Sequence, residues 1–332
     1  MDFPKVTIAL SVYNVESYLR KSLDCIIKQT FRDIEILCID DCSKDGTYTI
    51  LEEYASKDKR IRLLKQPTNM GLSCSRNLAM AEAKGEYILM LDGDDLFALD
   101  MVEKAYKKAV ETDADLVMWD YCTFYKEKEI SQLTKRLSVL IGIEPKDKIA
   151  LLKRPAFMWV KLFRIQVLRD HGVHFPEGLT KQDIPVWWHL VTALDKVEVL
   201  PERLSYYRQN PFNTTSRKDK SVYSLAYVMD ITGEYLKKNN LYATYKDEYL
   251  RSKLGLLQGM YDYIKPELQP DAMQMIRERL DTDAIAYINS SACALSKRII
   301  LFYKGYMMGD VFAKLQYDSL MLVRTIYRKI KV

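Results

Sequence analysis

The stretch YILMLDGDDLF, residues 87–97, joins an apolar run to a crowded group of acids. Five apolar residues are followed by Asp92, Asp94 and Asp95, with only Gly93 between the first two acids. The apolar run is typical of a strand that is buried on both faces. Carboxylates crowded at the end of such a strand repel one another and lose solvation unless a positive partner is present. The stretch therefore predicts a central strand whose end faces a cation.

The sequence before and after this strand alternates between strand and helix patterns as far as about residue 121. Five segments are strand-like: KVTIALSVYN, DIEILCIDD, RIRLLKQ, EYILMLDGDD and DLVMWDY. The segments between them carry apolar residues at helical spacing. One of these, SCSRNLAMAEAKG, predicts a helix with Ser73 as its N-cap and Gly85 as its stop. This alternation predicts an α/β fold with a mainly parallel sheet.

The remainder of the chain has a different character. The charged stretch KEKEISQLTKR predicts a mobile loop, and VEVLPERLSYYR predicts a short hairpin. From about residue 220 onward the pattern is helical, with Pro266 and Pro270 marking a break.

Polar side chains follow the predicted strands at the points where the strands end. Because the carboxyl ends of parallel strands meet at one edge of a sheet, we expect these side chains to converge where ligands bind. They are Ser11, Tyr13 and Asn14 after the first strand, Asp40 and Asp41 after the second, and Asp92 and Asp94 after a later one.

Composition narrows the class of protein. The 332 residues are 48% hydrophobic and 29% charged, as in ordinary globular proteins. The six cysteines are scattered, which favours a reducing, cytoplasmic compartment over a disulfide framework or a zinc ribbon. The first apolar run is too short for a signal peptide, and no run of about 18 apolar residues predicts a membrane-spanning helix.

The charge is concentrated near the C-terminus. Of the net charge of +5, residues 297–332 contribute +6 from eight basic and two acidic residues, so the rest of the chain carries −1. This distribution argues against a broad nucleic-acid-binding face. In the last predicted helix, Phe312, Leu315, Leu322, Ile326 and Ile330 share one side, and Arg324, Arg328 and Lys331 follow at helical spacing. Such a basic amphipathic tail fits an anionic membrane surface, although a helix packed on its own domain has the same pattern.

The acids of the opening stretch have two interpretations, and an earlier acidic segment raises a third possibility, a calcium loop. Carboxylates at this spacing suit Mg²⁺ or Mn²⁺ held jointly with a diphosphate, and Gly93 would let the backbone approach that ligand. Asp-Gly is also a common turn that needs no ligand. A calcium loop of the EF-hand type matches residues 41–52, but the preceding DIEILCI is a strand pattern where an EF-hand requires a helix.

Several segments together resemble the inverting nucleotide-sugar glycosyltransferases of the GT-A fold, family 2. The resemblance covers roughly residues 5–217 and rests on motifs in the family's order. They are VTIALSVYN, IEILCIDDCSKDGT, NMGLSCSRN, LDGDD, WVKLFR with FPEGLTKQD, and YYRQNPFNTTS. The resemblance implies a GT-A domain over residues 1–217, with a donor half at about 1–121 and an acceptor half at about 122–217. Residues 218–332 form a helical C-terminal region without a counterpart.

The resemblance also implies roles for individual residues. The nucleotide-binding set would be Ser11, Tyr13, Asp41, Arg76 and Asp92, with Asp41 accepting from a uracil N–H and Arg76 near the diphosphate. Asp94 would be the main ligand of Mn²⁺ or Mg²⁺, assisted by Asp92, while Asp95 would orient its neighbours or cap the next helix. Asp183 would be the general base, and Trp159, Lys161 and Gln182 would contact the acceptor or the donor sugar.

The sequence departs from the family pattern at two places. Gln182 stands where relatives have Glu, which removes one like charge from beside Asp183. Gln209 and Asn210 stand where many relatives have a histidine after the Y-x-R segment, which removes a third protein ligand for the metal. His189 lies in an apolar helical pattern and is interpreted as structural.

The resemblance implies a metal-assisted single displacement that moves a sugar from a nucleotide-diphosphate donor, with a UDP-sugar expected, to a glycan or lipid-linked acceptor. It would serve cell-surface polysaccharide synthesis, such as capsule or lipopolysaccharide, from the cytoplasm or the inner face of the plasma membrane. One alternative is a sugar nucleotidyltransferase, but ALSVYNVESYLRK lacks the Gly-rich triphosphate signature of that class. The other is a catalytically silent glycan- or nucleotide-binding module, against which the three acids Asp92, Asp94 and Asp183 argue.

Overall fold

The computed structural model describes residues 3–209 and 216–330, with side chains as far as Arg324. Asn210 and Lys331 therefore lie outside the described residues, as do the side chains of Ile326, Arg328 and Ile330. The chain forms two compact units, Met1–Ser216 and Arg217–Val332.

The first unit is built on one mixed sheet, which confirms the predicted α/β fold. Within the described residues its eight strands lie in the order β3-β2-β1-β4-β7-β6-β8-β5. Only β7 and β5 run antiparallel to their neighbours. The strands are β1 Val6–Val12, β2 Ile34–Asp40, β3 Ile61–Lys65, β4 Tyr87–Asp92, β5 Leu96–Phe97, β6 Leu116–Phe124, β7 Lys161–Arg164 and β8 Val197–Arg208.

Helices flank this sheet, and α1 shows how an apolar side packs against it. In α1, for example, Leu19, Leu23 and Ile26 are fully buried at helical spacing, and they join the core formed by β1, β2 and β4. The helices of this unit are α1 Glu16–Ile27, α2 Thr47–Lys57, α3 Leu72–Glu82, α4 Met101–Thr112, α5 Ile130–Leu133, α6 Lys148–Leu152, α7 Ile165–Asp170 and α8 Asp183–Ala193.

Two local predictions in the first unit are wrong. Residues 197–208 form the single strand β8 rather than a hairpin, because residues 201–202 are accommodated as a bulge opposite β6, where Pro201 needs no ladder N–H. The charged stretch predicted as a mobile loop contains a 3₁₀ turn, Glu127–Glu129, and α5.

The predicted limits of α3 are also wrong. Its N-cap is Gly71, whose φ of +89° suits glycine, and Ser73 lies inside the helix with its hydroxyl donating to the Pro176 carbonyl at 2.7 Å. The helix ends at Glu82, before Gly85. Gly85 lies just before β4, where the backbone passes close to β1.

The second unit is helical. Its helices are α9 Ser224–Lys238, α10 Tyr242–Tyr263, α11 Gln269–Glu278, α12 Thr282–Asn289, α13 Lys297–Phe302 and α14 Val311–Ile330, with a π-helical segment at Tyr303–Met307. The helix α9 packs on α10, where the Tyr249 hydroxyl donates to the Met229 carbonyl at 3.0 Å. No helix in the described part of the chain is long and apolar enough to cross a membrane.

We predict that Gly85→Ala destabilises the first unit by roughly 1–3 kcal/mol. A Cβ at this position would lie 2.5 Å from the Thr7 nitrogen and 2.8 Å from the Val6 carbonyl carbon, and backbone atoms cannot move aside cheaply. All four tryptophans lie in the first unit, so tryptophan fluorescence during denaturation reports its unfolding.

Gly259→Ala is the matched control, because Gly259 lies inside α10 with no atom near its added Cβ. This variant should leave the tryptophan transition unchanged and stabilise its helix by about 0.5–1 kcal/mol. Equal fluorescence midpoints for Gly85→Ala and the wild type would contradict the close approach of the backbones.

Candidate active site

Three strand ends are hydrogen-bonded side by side at the carboxyl edge of the sheet. The Gly93 amide donates to the Ser11 carbonyl at 3.2 Å, and the Asp41 amide donates to the Val12 carbonyl at 2.9 Å. Ser11 lies opposite Asp92 in the register of β1 with β4. The edge therefore brings together the ends of β1, β2 and β4, as the strand pattern predicts.

The loops that follow β1 and β2 fix each other. Asn14 adopts a φ of +51°, and its side-chain oxygen accepts from the Lys44 amide at 2.8 Å. Its own amide donates to the Ser43 hydroxyl at 3.0 Å. Tyr13, beside it, is 39% exposed, so its ring is available to a ligand at this edge.

Asp41 is buried and organises the segment that leads into α3. Its carboxylate accepts from the Met70 amide at 2.7 Å, the Gly71 amide at 2.8 Å and the Gln66 side chain at 2.9 Å. A carboxylate has about four acceptor positions. Three are therefore satisfied by the protein, and one remains for a ligand N–H.

Arg76 joins two acids from distant segments of the first unit. Its guanidinium donates to Asp183 at the start of α8 and to Asp92 at the end of β4, the latter at 3.3 Å. The side chain is only 2% exposed and lies over the Phe175 ring. Arg76 is thus not a solvated helix residue, and its partners in this structure are carboxylates.

The environment of the strand end changes the acidity of its carboxyl groups. Burial raises the pKa of Asp92 to about 6, opposed by Arg76 and reinforced by Asp94 and Asp183. Burial also raises the pKa of Asp95 well above its usual range, with Asp94 and Asp92 adding to the effect. The acids are therefore crowded enough to disfavour full ionisation without a cation, as the opening stretch suggested.

Asp95 does not cap the next helix, which corrects the sequence-based expectation. The N-cap of α4 is Asp100, and Asp95 instead accepts from the Arg208 amide at 2.8 Å. It therefore holds residues 92–95, here called the acidic turn, against the end of β8.

The role of Arg208 was missed at the sequence level, although it is the arginine of the Y-x-R segment. Its Nε donates to the Asp94 carbonyl at 2.9 Å, and its Nη1 contacts Glu127 at 3.3 Å. The guanidinium lies over the rings of Phe124 and Tyr18. Arg208 thus adds a second positive charge behind the acidic turn and fixes the backbone of Asp94.

Gly93 is required by packing rather than by a ligand alone. A Cβ there would lie 2.6 Å from Cγ1 of Val12, a stiff side chain in the core. This contact alone excludes a larger residue at position 93, whether or not a ligand approaches the backbone there.

The predicted sugar-contact residues do not reach the surface. Trp159 is 3% exposed and stacks on Phe157 with ring centroids 5.0 Å apart. Lys161 is fully buried, and its ammonium donates to the Phe157 and Pro155 carbonyls and lies over Trp187. Burial lowers the pKa of Lys161 to about 7. Gln182 is 5% exposed. In this conformation the three side chains are buried, and their contact with an acceptor or a donor sugar stays a prediction.

Asn77, the residue after Arg76, is a further functional candidate that was not predicted. Its side chain donates to the Phe175 carbonyl at 3.0 Å and accepts from the Phe175 amide at 2.9 Å. It thereby fixes the segment before α8 to α3. The motif NMGLSCSRN ends with this residue, so the sequence contains the signal, although the resemblance gives a role only to the arginine.

The donor atoms at the acidic turn fit a hard divalent cation. Within the described residues, no group of three or more His, Cys, Asp or Glu side chains could hold a metal ion by itself. Asp92 and Asp94 offer two carboxylates, and Mg²⁺ or Mn²⁺ commonly uses one or two carboxylates with phosphate oxygens completing the shell. The residues therefore fit an ion shared with a diphosphate ligand.

The sequence is similar to known glycosyltransferases. The sequence model described as Glycosyl transferase family 2 matches residues 7–171. A Bacillus subtilis protein named uncharacterized glycosyltransferase EpsJ is 30% identical over 221 residues, 64% of this chain and 63% of that protein. The uncharacterized glycosyltransferase MJ1057 of Methanocaldococcus jannaschii is 30% identical over 240 residues, 68% of this chain and 78% of that protein.

Solved structures share the fold. TarS 1–349 of S. aureus, crystallised with UDP-GlcNAc, superposes with a TM-score of 0.68 at 20% identity, covering 98% of this chain and 92% of that one. The mannosyltransferase PcManGT of Pyrobaculum calidifontis, in complex with GDP-Man and Mn²⁺, gives a TM-score of 0.55 at 16% identity and covers 99% and 88%. At these identities the likeness concerns the fold alone, which is GT-A.

We predict that Arg76→Met lowers the free energy of unfolding of the first unit by about 3–5 kcal/mol, because two partly buried acids lose the buried guanidinium that they share. The loss should be larger near about pH 8 than near about pH 6. Without the attraction of Arg76 the pKa of Asp92 rises further, so the folded variant binds a proton more readily than the unfolded chain and gains stability as the pH falls.

Denaturant titrations followed by tryptophan fluorescence at both pH values measure this effect. Arg20→Met is the matched control, because it removes an exposed ion pair with Glu53 in the same unit and should cost little stability. A pH-independent loss in Arg76→Met would contradict the electrostatic explanation.

Proposed function

The chain belongs to glycosyltransferase family 2, and we propose that it transfers a hexosyl group from a nucleotide-diphosphate sugar to an acceptor hydroxyl with inversion at the anomeric carbon. The observation that carries the proposal is the Arg76 cluster, which joins Asp92 of the acidic turn to Asp183 at the carboxyl edge of the sheet. The chain spans 63% of the length of EpsJ, the relative named first above, so activity, substrate and partners are all part of the proposal.

The donor nucleotide would bind at the ends of β1 and β2. Tyr13 offers an exposed ring for the base, and Asp41 has one acceptor position left for a base N–H. A uracil N–H suits that acceptor, which makes a UDP-sugar the favoured donor. Ser11 would contribute beside Asp41, and Asp92 would lie near the ribose.

Asp94 and Asp92 would hold Mn²⁺ or Mg²⁺ together with the donor diphosphate. When bound, the ion would neutralise the diphosphate charge that develops as the sugar leaves. Arg208 would support this arrangement, because it holds the backbone of Asp94 through a 2.9 Å hydrogen bond. The manganese bound by PcManGT makes this ion a reasonable first choice.

Asp183 would be the general base. Its side chain is 15% exposed, so one carboxylate oxygen can reach a bound acceptor while Arg76 holds the other. In a single displacement the acceptor hydroxyl would lose its proton to Asp183 as its oxygen bonds to the anomeric carbon, while the bond from that carbon to the diphosphate oxygen breaks and the nucleoside diphosphate leaves. No covalent enzyme intermediate is needed.

The acceptor would be a glycan or a lipid-linked glycan in cell-surface polysaccharide synthesis. A lipid-linked acceptor would be met at the inner face of the plasma membrane, so peripheral attachment through residues 297–332 belongs to the proposal. The remaining alternatives are a sugar nucleotidyltransferase and a silent binding module. The first would release pyrophosphate from a nucleoside triphosphate, and the second would bind a donor without consuming it.

A thermal-shift screen of UDP-, GDP-, CMP- and dTDP-sugars with Mn²⁺ tests the donor class. We expect stabilisation by a UDP-sugar that depends on the metal. A preference for a nucleoside triphosphate with a sugar phosphate would support the nucleotidyltransferase instead. Release of UDP on addition of candidate acceptors distinguishes an enzyme from a silent module.

We predict that Asp183→Asn reduces transfer by about 10²–10⁴-fold, because the amide cannot accept the acceptor proton. Its affinity for UDP with Mn²⁺ should stay close to that of the wild type, since the amide oxygen can still accept from Arg76. Calorimetry with UDP and UDP-release kinetics measure the two properties.

Asp94→Asn is the complementary variant, which should lose metal-dependent UDP binding as well as transfer. Wild-type transfer rates in Asp183→Asn would refute the base assignment. Unchanged metal-dependent binding in Asp94→Asn would refute the ligand assignment.

We also predict that the affinity for Mn²⁺ with UDP falls as the pH drops below about 6. Because the pKa of Asp92 is raised to about 6, the proton competes with the cation below that value, and the affinity should be flat above it. Calorimetric titrations across this range provide the measurement. In Asp92→Asn the step near this pH should disappear; its persistence would assign the titration to another group.

A further inference from the structure

The helix α14 carries a second apolar side that no described residue covers. Side chains that point away from the helix's packed face are largely exposed although they are apolar. They are Val311 at 71%, Phe312 at 75%, Leu315 at 61%, Leu322 at 63% and Val323 at 66%. At helical spacing these five residues share one side of the helix, here called the outer stripe.

The opposite side of α14 is firmly packed. Ala313 and Tyr317 are buried, and the Tyr317 hydroxyl bonds to Asp262 at 2.5 Å and to the Gln258 side chain at 3.0 Å. Its ring packs against Phe302 and Tyr306. A Cβ on Gly305 would lie 2.5 Å from the backbone of Lys314, so the π-helical segment also touches α14 closely. Because this contact fixes the rotation of the helix, the outer stripe cannot turn inward.

A basic cavity adjoins the N-terminal end of the outer stripe. It measures about 420 Å³ and lies between α13 and α14, with Lys297 and Lys304 beside Ile300 and Phe312 in its lining. Asp310 also lines it, but its carboxylate accepts from the Ala313 amide at 3.0 Å as the cap of α14. The cavity thus offers two ammonium groups next to apolar surface, which suits a phosphate that carries an acyl chain.

We propose that α14 is an interfacial helix, with its outer stripe inserted among the acyl chains of an anionic bilayer and a phospholipid phosphate bound between Lys297 and Lys304. Amphipathic helices with basic residues beside an apolar face bind membranes in this way. The inference rests on the peripheral attachment in the proposed function and specifies its surface and ligand. Since α14 carries several charges along its length, it lies along the bilayer and does not cross it.

Charge decides between a membrane and a second copy of the chain as the occupant. Residues 297–332 carry a net charge of +6, so pairing two such helices would bring like charges together. An anionic lipid surface neutralises the same charges and gains about 1 kcal/mol for each nearby lysine, corresponding to about fivefold in affinity per residue.

The test is sedimentation of the full chain with phosphatidylcholine vesicles, with or without phosphatidylglycerol. The wild type should sediment with the anionic vesicles and be released by high salt. Lys297→Gln/Lys304→Gln should weaken binding by about thirtyfold, through two lost lysine contributions. Phe312→Ser/Leu315→Ser/Leu322→Ser should weaken it by at least about thirtyfold, because three exposed apolar side chains no longer enter the bilayer.

Matched controls carry the same changes on the first unit. Leu137→Ser removes an apolar side chain that is 82% exposed, and Lys57→Gln/Lys107→Gln removes two exposed lysines; all should bind vesicles as the wild type does. Lack of wild-type binding to anionic vesicles, or equal loss in the controls, would overturn the proposal. So would a concentration-dependent dimer that the serine variant abolishes while vesicle binding is unaffected.

UDP binding with Mn²⁺, measured on the same samples, separates this proposal from the proposed function. Normal UDP binding with lost vesicle binding in the α14 variants supports the lipid site on a folded enzyme. A wild type that binds anionic vesicles but no nucleotide sugar would leave the lipid site standing and sink the glycosyltransferase proposal.

Discussion

The site depends on one buried guanidinium group, that of Arg76. Arg76 lies between Asp92 and Asp183 with 2% of its surface exposed, and it neutralises two acids that would otherwise repel each other in a poorly solvated place. Two other side chains hold the segments that lead to Arg76 and to Asp183. Asp41 fixes the segment that begins α3, and Asn77 fixes the segment before α8. The same guanidinium therefore connects the strand that would hold the metal with the helix that would supply the base.

The edge of the sheet explains why so many acids can coexist. The ends of β1, β2 and β4 are hydrogen-bonded to one another, and three of the acids have donors within the protein. Asp41 has backbone amides, Asp92 has Arg76, and Asp95 has the amide of Arg208. Burial nevertheless raises the pKa values of Asp92 and Asp95. The crowding is thus only partly relieved by the protein, which leaves a favourable place for a divalent cation.

Much of the fold could be predicted because its strands are apolar, β-branched and separated by periodic helices. Each wrong prediction has an identifiable physical cause. Ser73 looked like an N-cap, but Gly71 can adopt the φ of +89° at the start of α3, and Ser73 bonds to Pro176, about 100 residues away. Pro201 suggested a turn, whereas a bulge accommodates it within β8. The partners of Arg76 and Arg208 could not be derived, because hydrogen bonds between distant segments leave no local pattern in the sequence.

The hydrogen bonds that join α3 to Asp183 and to the segment before α8 have a consequence for the order in which the protein folds. The bonds from Arg76 to Asp183 and from Asn77 to Phe175 join residues 107 and 98 positions apart. Contacts of such separation form slowly, because a long loop must close before they contribute any stability. The strands β1 to β4 lie within residues 6–92 and are synthesised before Asp183, so they can form earlier. During synthesis, therefore, the strand ends that would bind the nucleotide fold first. Asp183, which would take the acceptor's proton, reaches its place only afterwards.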